Sequence, residues 1–378
     1  MPLKVLHCIH SLNANDGGPA RSVPALADAE ATNGAEVRVW SRQTPTIDLE
    51  EYRSAEFVTG DLHGLMSANW TPDLIHDHGV WLPSNHLSAK LARHNHVPRV
   101  VSPRGMLEPW CLQHHRYRKH FAWKLYQRRD LQSCTALHAT SEEEAAQFRR
   151  LGLKQRIILF PNGVSLPGLH DPQPLETRSM RREIVFLSRI HPKKGLLNLI
   201  EAWKRVARNE WLLRIVGSDE SGHRREIEAA ITQNALADTV VVNDPVYSHK
   251  KWDLLHNADL VILPSFSENF GIVVAEALAV GTPVITTTGT PWENVLTERC
   301  GWYVEPNVQS LSVALQDAMD KSQCELKDMG ERGGRWMRRE YAWGDIGKNM
   351  LGAYEWLLGQ SNADASDYIH KSPQRQAS

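Results

Sequence analysis

The chain reads as an α/β protein made of two doubly wound, parallel-sheet domains, and three observations predict it. Short apolar runs of strand length alternate with longer segments of helical period. The alternation halts at a Pro- and Gly-bearing stretch (Pro167, Gly168, Pro172, Pro174) and then restarts. The length of 378 residues, 42% of them hydrophobic, suits two domains of roughly 150 residues each.

Taken in order, the first series of runs is Lys4 to His10, Glu36 to Trp40, Leu74 to Asp77, Arg99 to Ser102, Ala136 to Ala139 and Ile157 to Phe160. The second is Glu183 to Leu187, Leu212 to Val216, Val240 to Val242, Leu260 to Leu263 and Pro283 to Ile285. Domains 1–167 and 168–342 follow, with the linker between 165 and 180. Trp343 to Leu358 then reads as an amphipathic helix with Ile346, Met350, Tyr354 and Leu357 on one face, and the polar, aperiodic 359–378 as a disordered tail.

Composition narrows the function. The 43 Lys+Arg balance 44 Asp+Glu to a net charge of −1, so no global positive field exists to hold nucleic acid, and a charged ligand must be met locally. The longest uncharged stretch, Ala277 to Trp292, is broken by Gly281, Pro283, Gly289 and Pro291 and falls short of the roughly 20 apolar residues of a membrane span. The run Met1 to His10 has too short an apolar core for a secretory signal. Five scattered cysteines show neither CxxC nor disulfide spacing, as suits a cytoplasmic protein.

Strand ends are where such sheets bind ligands. After the run ending at Leu263, a polar loop carries Glu268 and Asn269, and Gly271 to Val280 is predicted to be helical. Backbone N–H groups at Phe270, Gly271 and Ile272 then open toward the sheet rim as an anion site, phosphate above all. Glu268 and Glu276 suit hydroxyl groups of a ribose or a sugar ring. Arg189 and Lys194 follow the run ending at Leu187 and set two cations where a diphosphate would leave. Gly17 and Gly18 follow the first run without GxGxxG, which leaves close backbone approach to a ligand but no dinucleotide fingerprint. No GxxxxGK(S/T) occurs, against a P-loop NTPase. His76 and His78 share a strand face and could ligate a metal, but no further Cys/His cluster or Asp-x-Asp pair supports one.

Glu268-x7-Glu276 followed by Ala277-Leu278-Ala279-x-Gly281-x-Pro283-Val284-Ile285 resembles the donor-binding signature of glycosyltransferase family 4, the retaining GT-B enzymes. Ser188 to Gly195 resembles that family's phosphate-binding turn, Phe160 to Val164 its domain junction, and Gly17-Gly18-Pro19 its first Gly-rich loop. The resemblance implies two Rossmann-like domains facing a cleft, with the last helix crossing back to the first domain. It also implies retaining hexosyl transfer without metal, by attack on the leaving-group face with a donor phosphate oxygen taking the acceptor proton. Arg189, Lys194, Glu268 and His78 are the implied catalytic set, His78 reaching the donor sugar across the cleft. Donor binding falls to Gly17, Gly18, Asn269, Phe270, Gly271, Ile272 and Glu276. A UDP-sugar is expected, and a GDP-sugar is the alternative that Asp244 leaves open, since it stands where the family usually has Gly near the base. No cofactor is expected beyond this donor. The acceptor is expected to be a sugar or lipid-linked saccharide of bacterial polysaccharide assembly.

Between Leu112 and Arg129 six Lys/Arg occur with no acid, interleaved with Tyr117, Phe121, Trp123 and Tyr126. This predicted basic helix suits either a peripheral contact with the anionic inner membrane face or an acceptor phosphate. Arg104, Arg116, Arg118 and Lys119 are therefore the acceptor-side candidates. A glycoside hydrolase would also use two carboxylates, about 5 to 9.5 Å apart. Eight helical residues would set Glu268 and Glu276 about 12 Å apart, and the Arg–Lys pair would be surplus. A non-catalytic nucleotide-sugar-binding protein is the other rival.

Overall fold

The computed structural model describes residues 1–13, 17–67, 70–113, 116–165, 181–219 and 222–360. Contacts divide the chain into one unit of Met1–Gly163 with Trp343–Ser378 and a second of Val164–Ala342. Most of the expected linker (166–180) and all but the first two residues of the expected disordered tail (361–378) lie outside the described residues.

The first unit holds seven parallel strands: β1 Lys4–Ile9, β2 Glu36–Ser41, β3 Glu56–Thr59, β4 Leu74–His78, β5 Arg99–Ser102, β6 Ala136–Ala139 and β7 Arg156–Leu159. They lie in the order β3-β2-β1-β4-β5-β6-β7. β1 therefore pairs with both β2 and β4, and His7 stands opposite His76 in the ladder. β1, β4, β5 and β6 are buried almost throughout, as strands covered on both faces must be. The terminal helix Trp343–Leu357 packs on helix Pro19–Thr32 and puts Ile346, Met350 and Tyr354 into the core with Val5, Val23 and Leu26. Of the face expected from helical period, Leu357 only borders that core.

In the second unit β8 Arg182–Leu187, β9 Trp211–Val216, β10 Val240–Asn243, β11 Leu260–Leu263, β12 Val284–Thr287 and β13 Gly301–Val304 form one parallel sheet. Its order is β10-β9-β8-β11-β12-β13. Helix Ile272–Ala279 is buried at seven of its eight positions, so apart from Glu276 its sequence is apolar and has no exposed stripe. Helix Gln323–Glu340 starts at a capping box, Ser322 with Glu325.

Two strands were not legible in the sequence. β3 and β13 are sheet edges whose residues are nowhere fully buried; β3 offers only Phe57 and Val58 between polar residues, and β13 is a short Trp302–Val304 run behind a glycine. The expected basic helix is also not of one winding among the described residues. It becomes Pro109–Gln113, Arg116–Ala122, a π-helical turn Trp123–Gln127 and Arg128–Gln132. The π turn sits where Tyr126 reaches the Trp81 carbonyl at 3.0 Å and Gln127 accepts from the Trp81 N–H at 2.7 Å. Those two inward bonds set the local winding against regular α period. Among the described residues no helix is long and apolar enough to cross a membrane.

Candidate active site

In the second sheet the strand order reverses between β8 and β11, and a doubly wound sheet offers its ligand crevice at the carboxyl ends of such a pair. The loop after β8 carries Arg189, exposed, and Lys194, 8% exposed. The loop after β11 carries Ser265, Glu268 and Asn269. Across the switch point Lys194 Nζ donates to Glu268 Oε1, and Ser265 Oγ donates to the same oxygen at 2.7 Å. Burial pushes the Glu268 carboxyl up, but Lys194, the Ser265 hydroxyl and Lys193 overcome it and hold the acid below its usual range. Glu268 is thus an ionised acceptor that already grips a cation.

The loops approach closely because of one residue. Gly195 has φ 70°, and a Cβ there would lie 2.2 Å from the Pro264 carbonyl oxygen, a contact that neither backbone can yield to cheaply. Gly195→Ala is therefore expected to cost about 1–3 kcal/mol through overpacking and to part Lys194 from Glu268. A parent-like unfolding midpoint together with parent-like donor affinity would refute this.

Behind the second loop, Gly271 (φ 73°) caps helix Ile272–Ala279. Phe270 is buried against Trp292, with ring centroids 5.0 Å apart, and its carbonyl accepts from Trp292 Nε1 at 2.5 Å. Trp292 in turn packs on Trp336 and Tyr341. An aromatic block thus fixes the helix start at the sheet rim. One turn along, Glu276 is 8% exposed and accepts from Lys251 Nζ at 2.6 Å. Both acids of the motif therefore carry a lysine, and Lys251 and Ser265 are site residues that sequence reading missed. Helix Ser248–Asn257, which bears Lys251, shows no motif around it; only its burial beside Glu276 marks it. Asp244, at the end of β10, is bound by Arg224 at 2.7 Å.

The remaining candidates lie in the first unit. Gly17 and Gly18 precede helix Pro19–Thr32, where Gly18 is the N-cap. His78 closes β4, buried, with Nε2 2.9 Å from His7 Nδ1 and Nδ1 3.2 Å from Arg104 Nη2. Arg104 is 8% exposed and also donates to Asn162 Oδ1, so its charge faces protein groups. Burial draws that guanidinium down to about 10, with Glu144 opposing. Arg118 is exposed and Lys119 donates to the Cys111 carbonyl; the side chain of Arg116 lies outside the described residues. His7, His76 and His78 bring ligand-type nitrogens within 4.8 Å of one another, yet every one of their six ring nitrogens meets a protein hydrogen-bond partner.

Residues 170–336 match the family model described as glycosyl transferases group 1, and residues 23–163 that of a glycosyl transferase 4-like domain. The chain belongs to the group 1 glycosyltransferases. This glycosyltransferase-family chain is 30% identical over 239 residues to a D-inositol 3-phosphate glycosyltransferase of Xylanimonas cellulosilytica, across 58% of this chain and 56% of that protein. It is 21% identical over 315 residues to a GDP-mannose:cellobiosyl-diphosphopolyprenol alpha-mannosyltransferase of Xanthomonas campestris, across 78% and 81% of the two chains. Over 94% of its length it superposes on the whole of Anabaena Alr3699/HepE, solved with UDP-glucose, with a TM-score of 0.76 at 17% identity. That likeness shows the GT-B fold, two Rossmann-like domains. The chain spans about half the length of the curated relatives it matches first.

Proposed function

We propose that the protein is a retaining hexosyltransferase. It moves a sugar from a UDP-sugar of the UDP-glucose type to a sugar or lipid-linked saccharide in bacterial polysaccharide assembly. The observation that carries this reading is the Lys194–Glu268 pair at the β8/β11 switch point. An entering donor divides that pair: Lys194, with Arg189, turns to the diphosphate, and Glu268 accepts from hydroxyls of the transferred sugar. Glu276, bound by Lys251, accepts from the ribose hydroxyls. In the reaction the bond from the anomeric carbon to the diphosphate oxygen breaks and a bond to the acceptor oxygen forms on the same face. The acceptor proton passes to a donor phosphate oxygen. Leaving-group charge then falls on Lys194, Arg189 and the start of helix Ile272–Ala279, a set that supports metal-independent turnover.

Equilibrium binding of UDP-, GDP- and ADP-sugars, followed by nucleotide release with and without acceptor in EDTA, tests this. Binding of a UDP-sugar with turnover that survives EDTA is the expected result. Asp244 in the base-side loop and the relative named for GDP-mannose favour a second reading, a GDP-mannose donor; preferential GDP-mannose turnover would decide for it. Binding without turnover would make the chain a nucleotide-sugar-binding protein.

The membrane contact belongs to the same proposal. Tyr117, Phe121 and Leu125, at helical i, i+4, i+8 spacing, are 76%, 68% and 67% exposed, and Arg118, Lys124, Arg128 and Arg129 beside them are exposed too. Trp123 and Tyr126 turn inward instead, toward Trp81. An apolar stripe flanked by cations suits an anionic bilayer, at about 1 kcal/mol per basic residue before salt screening. Replacing Arg116, Arg118 and Lys119 together by Gln is expected to weaken flotation with anionic vesicles at low salt and to leave nucleotide affinity alone. Equal flotation of parent and variant would overturn it.

A further inference from the structure

A chain of buried side chains crosses one face of the first sheet. From Arg104 it runs to His78 (3.2 Å), His7 (2.9 Å), Glu30 (2.7 Å), Tyr354 (3.0 Å), His76 (2.6 Å), His138 (3.3 Å) and the Phe160 carbonyl (3.0 Å). Glu30, His7, His76 and Tyr354 are 0% exposed, and His78 and His138 are 2% exposed.

Both ends of the chain have fixed polarity, so its protons can be counted. A guanidinium only donates. His78 Nδ1 must therefore accept, which puts the proton of neutral His78 on Nε2, donating to His7 Nδ1. His7 then carries its proton on Nε2 and donates to Glu30 Oε2. At the other end a carbonyl only accepts, so His138 donates from Nε2 and accepts at Nδ1. His76 donates from Nε2 and accepts at Nδ1 from the Tyr354 hydroxyl. The two directions meet at Tyr354 and Glu30, whose oxygens lie 3.0 Å apart. With Glu30 ionised, two acceptors face each other there or, if the Tyr354 hydroxyl turns to Glu30 Oε1, at His76 Nε2 and His138 Nδ1, and either arrangement costs desolvation without return.

We propose that this network holds one proton more than neutral histidines and an ionised glutamate would carry, and that the proton rests on Glu30. Glu30 Oε1–H then donates to the Tyr354 oxygen, the Tyr354 hydroxyl donates to His76, and every contact in the chain has one hydrogen. Transfer of the Glu30 proton to Tyr354, with the tyrosine proton passing to His76, balances but buries a second cation near Arg104. Burial, His138, His7 and Arg104 all push the His76 imidazole well below its ordinary range, which returns the proton to Glu30. The other charges facing this chain are few. Glu144 acts on Arg104, while Asp77 and Arg99 pair with each other through side chains on the opposite face of β4. Glu30 and His7 are thereby positioning residues. Their fixed tautomers orient His78 and Arg104 at the carboxyl edge of the sheet, and the last helix takes part through Tyr354.

The test is spectroscopic and uses the full chain without ligand. Nitrogen-15 spectra of the histidine side chains are expected to show His7, His78, His76 and His138 each protonated at Nε2 alone from pH 6.5 to 8. The infrared difference between parent and Glu30→Gln should show the loss of one protonated carboxyl band. Because a glutamine amide donates where the acid proton did, E30Q should keep the parent's unfolding midpoint and tautomers, whereas Glu30→Ala should lose both. A doubly protonated His7, meaning an ordinary His7–Glu30 ion pair, would overturn the proposal. So would an Nδ1–H on His7 or His78, no carboxyl band in the difference, E30Q as unstable as E30A, or stoichiometric zinc on these histidines. The parent's nitrogen spectrum decides even if neither variant folds.

Discussion

Lys194→Ala should lower kcat about 100- to 1000-fold, the roughly 2.7 to 4 kcal/mol expected when one stabiliser of developing charge is removed from a transition state. Donor affinity should fall far less, because the contact that Lys194 gains with an entering diphosphate is offset by the contact it gives up with Glu268, whereas the charge that develops as the diphosphate leaves has no such offset. Truncation alone would also strand Glu268, whose side chain is 13% exposed and is held ionised by Lys194, Ser265 and Lys193 against its burial. The double variant Lys194→Met with Glu268→Gln separates the two effects. It removes the stranded acid, so it should fold like the parent and still turn over at least as poorly as the single variant. Arg189→Ala, in the same loop, should show a similar split between kcat and KM. Parent-like turnover in Lys194→Ala and Arg189→Ala, with folding intact, would remove this loop from the reaction.

Arg99→Met should destabilise the first unit by about 3–5 kcal/mol, the range for breaking a buried ion pair by deleting one partner. Arg99 donates to Asp77 Oδ2 at 2.8 Å, and the two side chains are 4% and 1% exposed. Burial raises the Asp77 carboxyl to about 6, while Arg99 and Asn85 pull the other way. Without the guanidinium it must rise further. A carboxyl whose folded value is raised contributes stability below its unfolded value, near 3.8, and loses it as pH rises through the folded one. The penalty of Arg99→Met should accordingly be greatest at pH 8 and shrink toward pH 5, where Asp77 takes a proton. Amide hydrogen exchange of β4 and β5 reads the stability of this unit by itself. A penalty independent of pH would place its origin elsewhere than in the Asp77 charge.

The inner strands were legible because burial on both faces requires continuous apolar runs, and the structure keeps each within a residue or two of the expected bounds. The donor motif was legible because its parts are local. A strand end, a polar loop and a glycine-capped helix follow one another between Leu263 and Gly281. Edge strands β3 and β13, four residues each with none fully buried, were missed. The basic segment's period looked helical, but its two bonds to Trp81 break the winding.

By itself, then, the sequence determined two doubly wound sheets, the family, and the residue types waiting at the strand ends. Only the tertiary structure decided which of them meet. Strand order brings Lys194 to Glu268, 74 residues on, and packing of the last helix brings Tyr354 to His76 and Glu30, 278 and 324 residues away. No local period encodes such pairs, because their spacing is set by the order of strands and the return of the last helix. The same holds for protonation: His76 and His78 look like free ligands in a list of residues. A run of seven hydrogen bonds, from Arg104 to the Phe160 carbonyl, leaves each of their nitrogens one role, since a buried polar group without a partner is costly.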